Sequence, residues 1–341
     1  MRLAIVTDAW APQTNGVVTT ISSTARNLTD MGHEVALITP EYFRTVPCPG
    51  YREIRLSVGC RRSVAGMLDA ADPDTVHIAT EGPLGMAARS WCLENDFPFV
   101  TSLHTRFPEY IRMRAPVPLA LSYAWLRRFH APAVQTMVRS ETQRELLAAR
   151  GFRHLDVWPG AVDTSLFRPR GKRALCLPRP ISMYMGRVSI EKGLDDFLSL
   201  DLPGSKVVIG GGPDLARLQE DYPDAHFLGP RYGEELAGLL SSADVFVFPS
   251  RTDTLGLVML EAMACGVPVA AYRVPGPQDV VRDGYTGALD DSLENAVFRA
   301  FRVNPQACVE FAEEHDWRRS TEYFLRAQQP RARERLSPAA G

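Results

Sequence analysis

FVFPSRTDTLGLVMLEAMACGVPVAA, residues 246–271, reads as strand, loop, helix and strand in that order. Phe246 and Phe248, with Val245 and Val247, form a short apolar run of the kind a buried parallel strand needs, and Pro249 and Ser250 end it in a loop. Gly256 then opens a segment in which Leu257, Leu260, Glu261 and Ala264 recur at helical spacing; Gly266 and Pro268 stop it before a second strand at 267–271. Two acids mark the polar side, Asp253 in the loop and Glu261 eight positions later inside the helix. A carboxylate among apolar neighbours is costly to bury alone, so Glu261 is either exposed or holds something polar, such as the hydroxyls of a sugar or ribose. The helix start at Gly256 offers free N–H groups and the positive end of a dipole to an anion such as a diphosphate. The alternative is a solvated helix acid, with Asp253 a helix cap.

Working outward, 341 residues are too many for one ordinary core and imply two domains. Apolar content of 45% and charged content of 23% are those of a globular protein, and a net charge of -2 argues against a general nucleic-acid binder. Six cysteines without a Cys-x-x-Cys pair indicate neither a zinc site nor a disulfide framework, which fits a cytoplasmic protein. The first apolar run, residues 3–6, is cut short by Thr7 and Asp8, too soon for a signal peptide, and no run reaches the roughly 18 apolar residues of a membrane span. Membrane contact is therefore expected to be peripheral at most, on the inner face of the cytoplasmic membrane.

The first half alternates strand candidates, at 3–7, 34–39, 75–79, 97–103, 133–137 and 155–158, with amphipathic segments. Such alternation implies a parallel sheet covered by helices, with ligands beyond the carboxyl ends of its strands. Three loops lie there. Residues 8–16, DAWAPQTNG, lack the Gly-x-Gly-x-x-Gly spacing of a dinucleotide fold, yet Gly16 at a helix start is either a turn glycine or a place where N–H groups meet a phosphate. Glu81, in the second, either caps the next helix or contacts an acceptor. The third, 102–110, holds His104, Arg106 and Tyr110; His104 ends a buried strand where sites form, although a lone histidine is more often structural.

From 106 to 129, Arg106, Arg112, Arg114, Arg127 and Arg128 interleave with Phe107, Tyr110, Tyr123 and Trp125, and Glu109 is the lone acid. This suits a surface resting on anionic lipid, or equally the solvated face of a core helix. Pro, Gly and polar residues at 160–178 read as a linker. The second half repeats the pattern, with strands at 181–185, 207–209, 226–228 and 245–248. Gly186-Arg187 and Lys192-Gly193 place two cations just after the first of these, where Arg can grip a diphosphate bidentately and Lys as a point charge. Asp72-Pro73-Asp74 mimics a metal-binding Asp-x-Asp element, but a proline before a strand makes it a turn.

The string Pro249-Ser250, an acid, Leu255-Gly256-Leu257, Leu260 to Gly266 and Val267-Pro268-Val269, preceded by Gly186-Arg187 and Lys192-Gly193, resembles the donor motif of the retaining glycosyltransferases of family 4. That family usually places a glutamate where this chain has Asp253. The variant Thr252-Asp253-Thr254 is similar to the glycolipid-forming branch, which includes diacylglycerol glycosyl and mannosyl transferases and sulfoquinovosyltransferases. The resemblance implies a GT-B fold of two doubly wound α/β domains, 1–165 for the acceptor and 166–317 for the nucleotide-sugar. The last segment, 318–341, would be a helix crossing back to the first domain and then a frayed tail. It implies donor contacts at Gly16, Gly186, Arg187, Lys192, Asp253, Thr254, Leu255, Gly256, Leu257 and Glu261, with His104, Arg187 and Lys192 at the chemistry. Glu81, Arg106 and Tyr110 would contact the acceptor. The expected activity is retaining transfer of a hexose from a UDP- or GDP-linked sugar, GDP-mannose among them, to a lipid such as diacylglycerol or to a soluble or carrier-linked saccharide, with no metal and no other cofactor. A nucleotide-sugar epimerase, a phosphorylase and a non-catalytic nucleotide-sugar binder stand as alternatives.

Overall fold

The chain alternates short strands and helices through both halves, and each half closes into its own parallel sheet. The structure is a computed structural model and describes residues 1–13, 15–48, 51–114 and 116–330, the side chains of 51–53, 113 and 114 excepted. The first half contains β1 (Arg2–Val6), β2 (Glu34–Ile38), β3 (Thr45–Cys48), β4 (Tyr51–Ser57), β5 (Thr75–Ile78), β6 (Phe99–Ser102), β7 (Gln135–Val138) and β8 (Leu155–Val157). Six of these pair in parallel in the order β2-β1-β5-β6-β7-β8, while β3 and β4 form a separate antiparallel hairpin. The second half contains β9 (Ile181–Met185), β10 (Ser205–Ile209), β11 (His226–Gly229), β12 (Val245–Phe248), β13 (Val269–Tyr272) and β14 (Gly287–Asp290), in the order β11-β10-β9-β12-β13-β14.

The apolar runs read from the sequence are the central strands. Every residue of β5, β6, β9, β12 and β13 is buried, as strands covered by helices on both faces must be. Phe246 and Phe248 point into one core layer with Met263 and Phe311, and Val245 and Val247 into the other with Phe197 and Val297. Each such side chain contributes roughly 1.5–3 kcal/mol of burial. Three elements differ from expectation. The β3–β4 hairpin and β14 are not among the strands read from the sequence, and the strand expected from residue 267 begins at Val269.

The two halves are tied together at their backs. The helix Trp317–Ala327 leaves the second half and lays Phe324 and Ala327 against Leu3, Ile5, Ile21 and Leu28 of the first. Trp158 Nε1 donates to Ser320 Oγ at 3.1 Å. Gln328 ends this helix buried, and its side-chain amide reaches Thr75 and His77, so the chain is anchored here rather than frayed. Residues 331–341, the rest of the expected tail, lie outside the described residues. In front, Gly160 meets the second half so closely that a Cβ there would sit 2.4 Å from Leu255 Cδ2.

In both sheets the strand order reverses once, between β1 and β5 and between β9 and β12. Those switch points open a crevice at the carboxyl ends of the strands.

Candidate active site

The second-half wall is built by the exits of β9 and β12. After β9 the chain passes Gly186 and Arg187 into a short 3-10 turn, Ile190–Lys192, and Ser250 Oγ and Thr252 Oγ1 hold the β12 loop to it by donating to the Glu191 carbonyl at 3.2 and 3.4 Å. Lys192 Nζ thereby reaches Asp253 Oδ1 at 2.6 Å. Burial pulls the Lys192 pKa down, but the Asp253 carboxylate more than offsets it and the net shift is upward, so the amine is charged. The cation expected to take phosphate and the acid expected to take hydroxyls are thus paired with each other, while Asp253 Oδ2 is buried with no partner.

The helix Leu257–Ala264 starts at Gly256, whose φ of +80° favours glycine; a Cβ would lie 2.9 Å from both the Phe248 ring and Met259 Cε. No side chain caps this helix and no acid occupies its first turn, leaving its positive end free for an anion. One turn on, Glu261 is half-buried and makes no hydrogen bond or ion pair with the described residues. Burial pushes its carboxyl up to about 7. A partly exposed carboxyl with no protein partner is suited to accept from, or donate to, a ligand hydroxyl.

The first-half wall faces it. Gly16 opens the helix Gly16–Asp30, and its Cβ position lies 3.8 Å from Leu257 Cδ1. Asn15 caps that helix, its Oδ1 accepting from Val17 N at 3.0 Å and Val18 N at 3.1 Å, so two N–H groups that the sequence seemed to offer a phosphate are already satisfied. Thr14, in the same loop, lies outside the described residues. His104 follows β6 with Nε2 2.8 Å from Ser102 Oγ, which lies 3.1 Å from His77 Nε2. Its ring stands edge-on to Trp158 at 5.6 Å. Burial, then the charge of Arg139 and the neighbouring His77, hold His104 well below its usual pKa, so the imidazole is neutral. Across the cleft, Thr254 Oγ1 donates to the His104 carbonyl at 2.6 Å and Tyr110 Oη to Asp253 Oδ1 at 3.4 Å. The structure therefore brings Gly16, His104, Tyr110, Lys192, Asp253, Thr254, Gly256 and Leu257 to one crevice.

Glu81 is not part of it. Its carboxylate is buried and lies 3.2 Å from His130 Nε2, whose Nδ1 is 2.9 Å from Thr101 Oγ1, so it serves the interior of the first half. Nor does Glu81 cap the helix Pro83–Glu94. Asp8 does that from the end of β1, accepting from Leu84 N at 2.9 Å, Gly85 N at 3.3 Å and Thr80 Oγ1 at 2.9 Å. Arg106 pairs with Glu109 at 3.2 Å and lines, with Leu103, Leu126, Leu147 and Asp253, a small, partly open pocket of about 20 Å³. Beside it, the helices Phe107–Arg114 and Leu119–His130 bury Leu126 and Phe129 but expose Phe107, Ile111, Leu121 and Trp125. The side chain of Arg114 lies outside the described residues. Asp72 and Asp74 both bond to Arg2, as a turn would have it. Sequence reasoning passed over Asp8 and Arg139; each sits one or two residues past the end of a strand, which is the signal that would have found them.

Two matches agree with this geometry. Residues 14–166 match the family described as Glycosyltransferase Family 4, and residues 179–301 match Glycosyl transferases group 1. The chain is 31% identical over 316 residues to a GDP-mannose-dependent alpha-mannosyltransferase of Mycobacterium tuberculosis, an alignment covering 85% of this chain and 83% of that protein. This chain belongs to glycosyltransferase family 4. It is also 32% identical over 342 residues to the sulfoquinovosyl transferase SQD2 of Arabidopsis thaliana, covering 87% of this chain and 67% of the relative. Among solved structures, sucrose-phosphate synthase from Thermosynechococcus elongatus superposes with a TM-score of 0.75 at 20% identity, over 95% and 97% of the two chains. Anabaena HepE in complex with UDP and glucose gives 0.72 at 15%, over 96% and 98%. These two likenesses establish the GT-B fold. As a family 4 member the chain is a glycosyltransferase.

Proposed function

We propose that this glycosyltransferase moves a hexose from a UDP- or GDP-linked sugar, with retention of anomeric configuration and without a metal, to a membrane lipid of the diacylglycerol type. The observation that carries the reading is the convergence of Lys192, Asp253 and the bare helix start at Gly256 on one wall opposite the neutral His104 on the other. The diphosphate would take Lys192 from Asp253, with Arg187 beside it, and lie against the N–H groups at Leu257. Asp253, released, and Glu261 would hold hydroxyls. In the transfer the bond from the anomeric carbon to the diphosphate oxygen breaks with its electron pair, and Lys192 and Arg187 stabilise the charge that develops there. The acceptor hydroxyl oxygen bonds to the same carbon from the same face and gives its proton to the departing phosphate. His104, neutral and fixed through Ser102, contacts the sugar without carrying a charge that would oppose the developing oxocarbenium.

The lipid acceptor is supported by the apolar side chains of Leu103, Pro108, Leu126, Leu146 and Leu147 around the small pocket, beside helices that carry the exposed Leu121 (65%) and Trp125 (49%) together with Arg112, Arg127 and Arg128. Among the described residues no helix is long and apolar enough to cross a membrane, so contact would be made along this surface, at the inner face of the cytoplasmic membrane. The test is incubation with a panel of uridine and guanosine sugars, with and without diacylglycerol vesicles and with and without chelator, read by mass spectrometry of the lipid. A chelator-resistant lipid heavier by one hexose is the expected product. Diphosphate release with unmodified lipid would move the acceptor to a soluble or carrier-linked saccharide.

A further inference from the structure

Arg139 follows β7 directly and is 4% exposed. Its guanidinium carbon lies 4.7 Å from the centre of the Trp158 ring, the same indole that His104 meets edge-on. Neither Nη1 nor Nη2 has a hydrogen-bond partner, and no ion pair to Arg139 exists among the described residues. A guanidinium carries five N–H donors in a plane, and stacking on an indole satisfies none of them. Removing such a charge from water without an acid to pair it is among the costlier things a fold does, and an apolar side chain of similar length would fill the space without that cost. Burial pulls the guanidinium pKa down to about 9, a measure of how poorly the charge is compensated. On the proposed reading the diphosphate is met by Lys192 and Arg187 of the second half. An unused, planar, bidentate donor set on the sugar-facing wall has a different anion to meet.

We propose that Arg139 is a specificity-determining residue that binds an oxyanion carried by one of the two substrates, either a carboxylate or sulfonate on the transferred sugar or a phosphate on the acceptor, beside His104. The inference rests on the reading that the transferred sugar lies against His104. The guanidinium nitrogens are shielded as the structure stands, so on this proposal the anion must enter with the two walls further apart than they are here.

The experiment compares wild type, Arg139→Met and Arg139→Lys on substrates that differ by one acidic group. These are UDP-glucose against UDP-glucuronate, GDP-mannose against GDP-mannuronate, and diacylglycerol against phosphatidylglycerol as acceptor; donor binding is followed by calorimetry and turnover by kcat/KM. The proposal expects wild type to prefer the acidic member of one pair. Arg139→Met should lose about 100-fold or more on that member alone and stay within about 3-fold on its neutral counterpart, with Arg139→Lys between. A donor pair responding assigns the anion to the sugar, and the lipid pair responding assigns it to the acceptor. Ligand-free Arg139→Met should melt at or above the wild-type temperature, because it removes an unpaired charge. Equal losses on every substrate with a lowered melting temperature would make Arg139 a structural partner of Trp158 and overturn the proposal, as would a wild type with no preference in any pair. A wild type that binds no nucleotide-sugar at all would instead overturn the donor reading beneath it, and Arg139 with it.

Discussion

The two sheets share one topology, and their switch points have opposite fates. At the first, between β1 and β5, the helix start that could hold an anion is filled by the chain itself: Asp8 takes Leu84 N, Gly85 N and Thr80 Oγ1, and is buried there. At the second, between β9 and β12, the helix starting at Gly256 has no cap and no acid in its first turn, and a charged lysine stands nearby. A crevice that topology creates twice is therefore available to a ligand anion only once. The fold supplies the position, and a single carboxylate decides whether it is a site.

That contrast can be broken by substitution. Lys192→Ala should lower kcat/KM by about 10²–10³-fold, the usual result of removing one positioned group from developing charge, while Asp8→Ala should leave kcat/KM within about 3-fold. Steady-state assays with one nucleotide-sugar separate the two. Asp8→Ala should instead lose about 1–3 kcal/mol of stability, since it strands buried backbone donors; denaturant unfolding reads that loss, and Lys192→Ala should show much less of it. Gly256→Ala, forced to φ +80° against Phe248 and Met259, should cost about 1–2 kcal/mol and weaken donor binding together.

The smallest effect concerns Glu261. Its folded carboxyl is raised from an ordinary 4.5 to about 7, so between those values the folded protein binds more protons than the unfolded chain. Its contribution to stability is greatest below pH 4.5 and is lost as pH rises through 7. Glu261→Gln should accordingly melt about 2–4 °C above wild type at pH 8, with the gap closing toward pH 4.5, while binding donor more weakly. A gap that widens on acidification would show that Glu261 is paired with a cation or donor.

The second half was legible because its strands are short apolar runs bounded by glycine and proline, and the burial of β9, β12 and β13 on both faces leaves no other pattern to confuse them with. The helix start at Gly256 and the cations after β9 could be read for the same reason. What stayed hidden depends on pairs distant in sequence. Asp8 caps a helix 76 residues away, Glu81 meets His130 across 49 residues, and Gln328 reaches His77 across 251. Periodicity carries no record of such pairs. The Lys192–Asp253 pair is of this kind too, since each residue was read as following a strand of the second half, but their mutual contact appears only when the β9 and β12 loops are side by side. β14 was missed because its four residues begin with Gly287 and end with Asp290, which leaves only Ala288 and Leu289 as an apolar signal.

The most direct test is calorimetric titration of UDP and of GDP into wild type, Lys192→Ala and Asp8→Ala. On this account wild type is expected to show one site for one of the two nucleotides, retained in Asp8→Ala and weakened at least about tenfold in Lys192→Ala. Affinity that survives Lys192→Ala and falls with Asp8→Ala would place the nucleotide at the first switch point and contradict it.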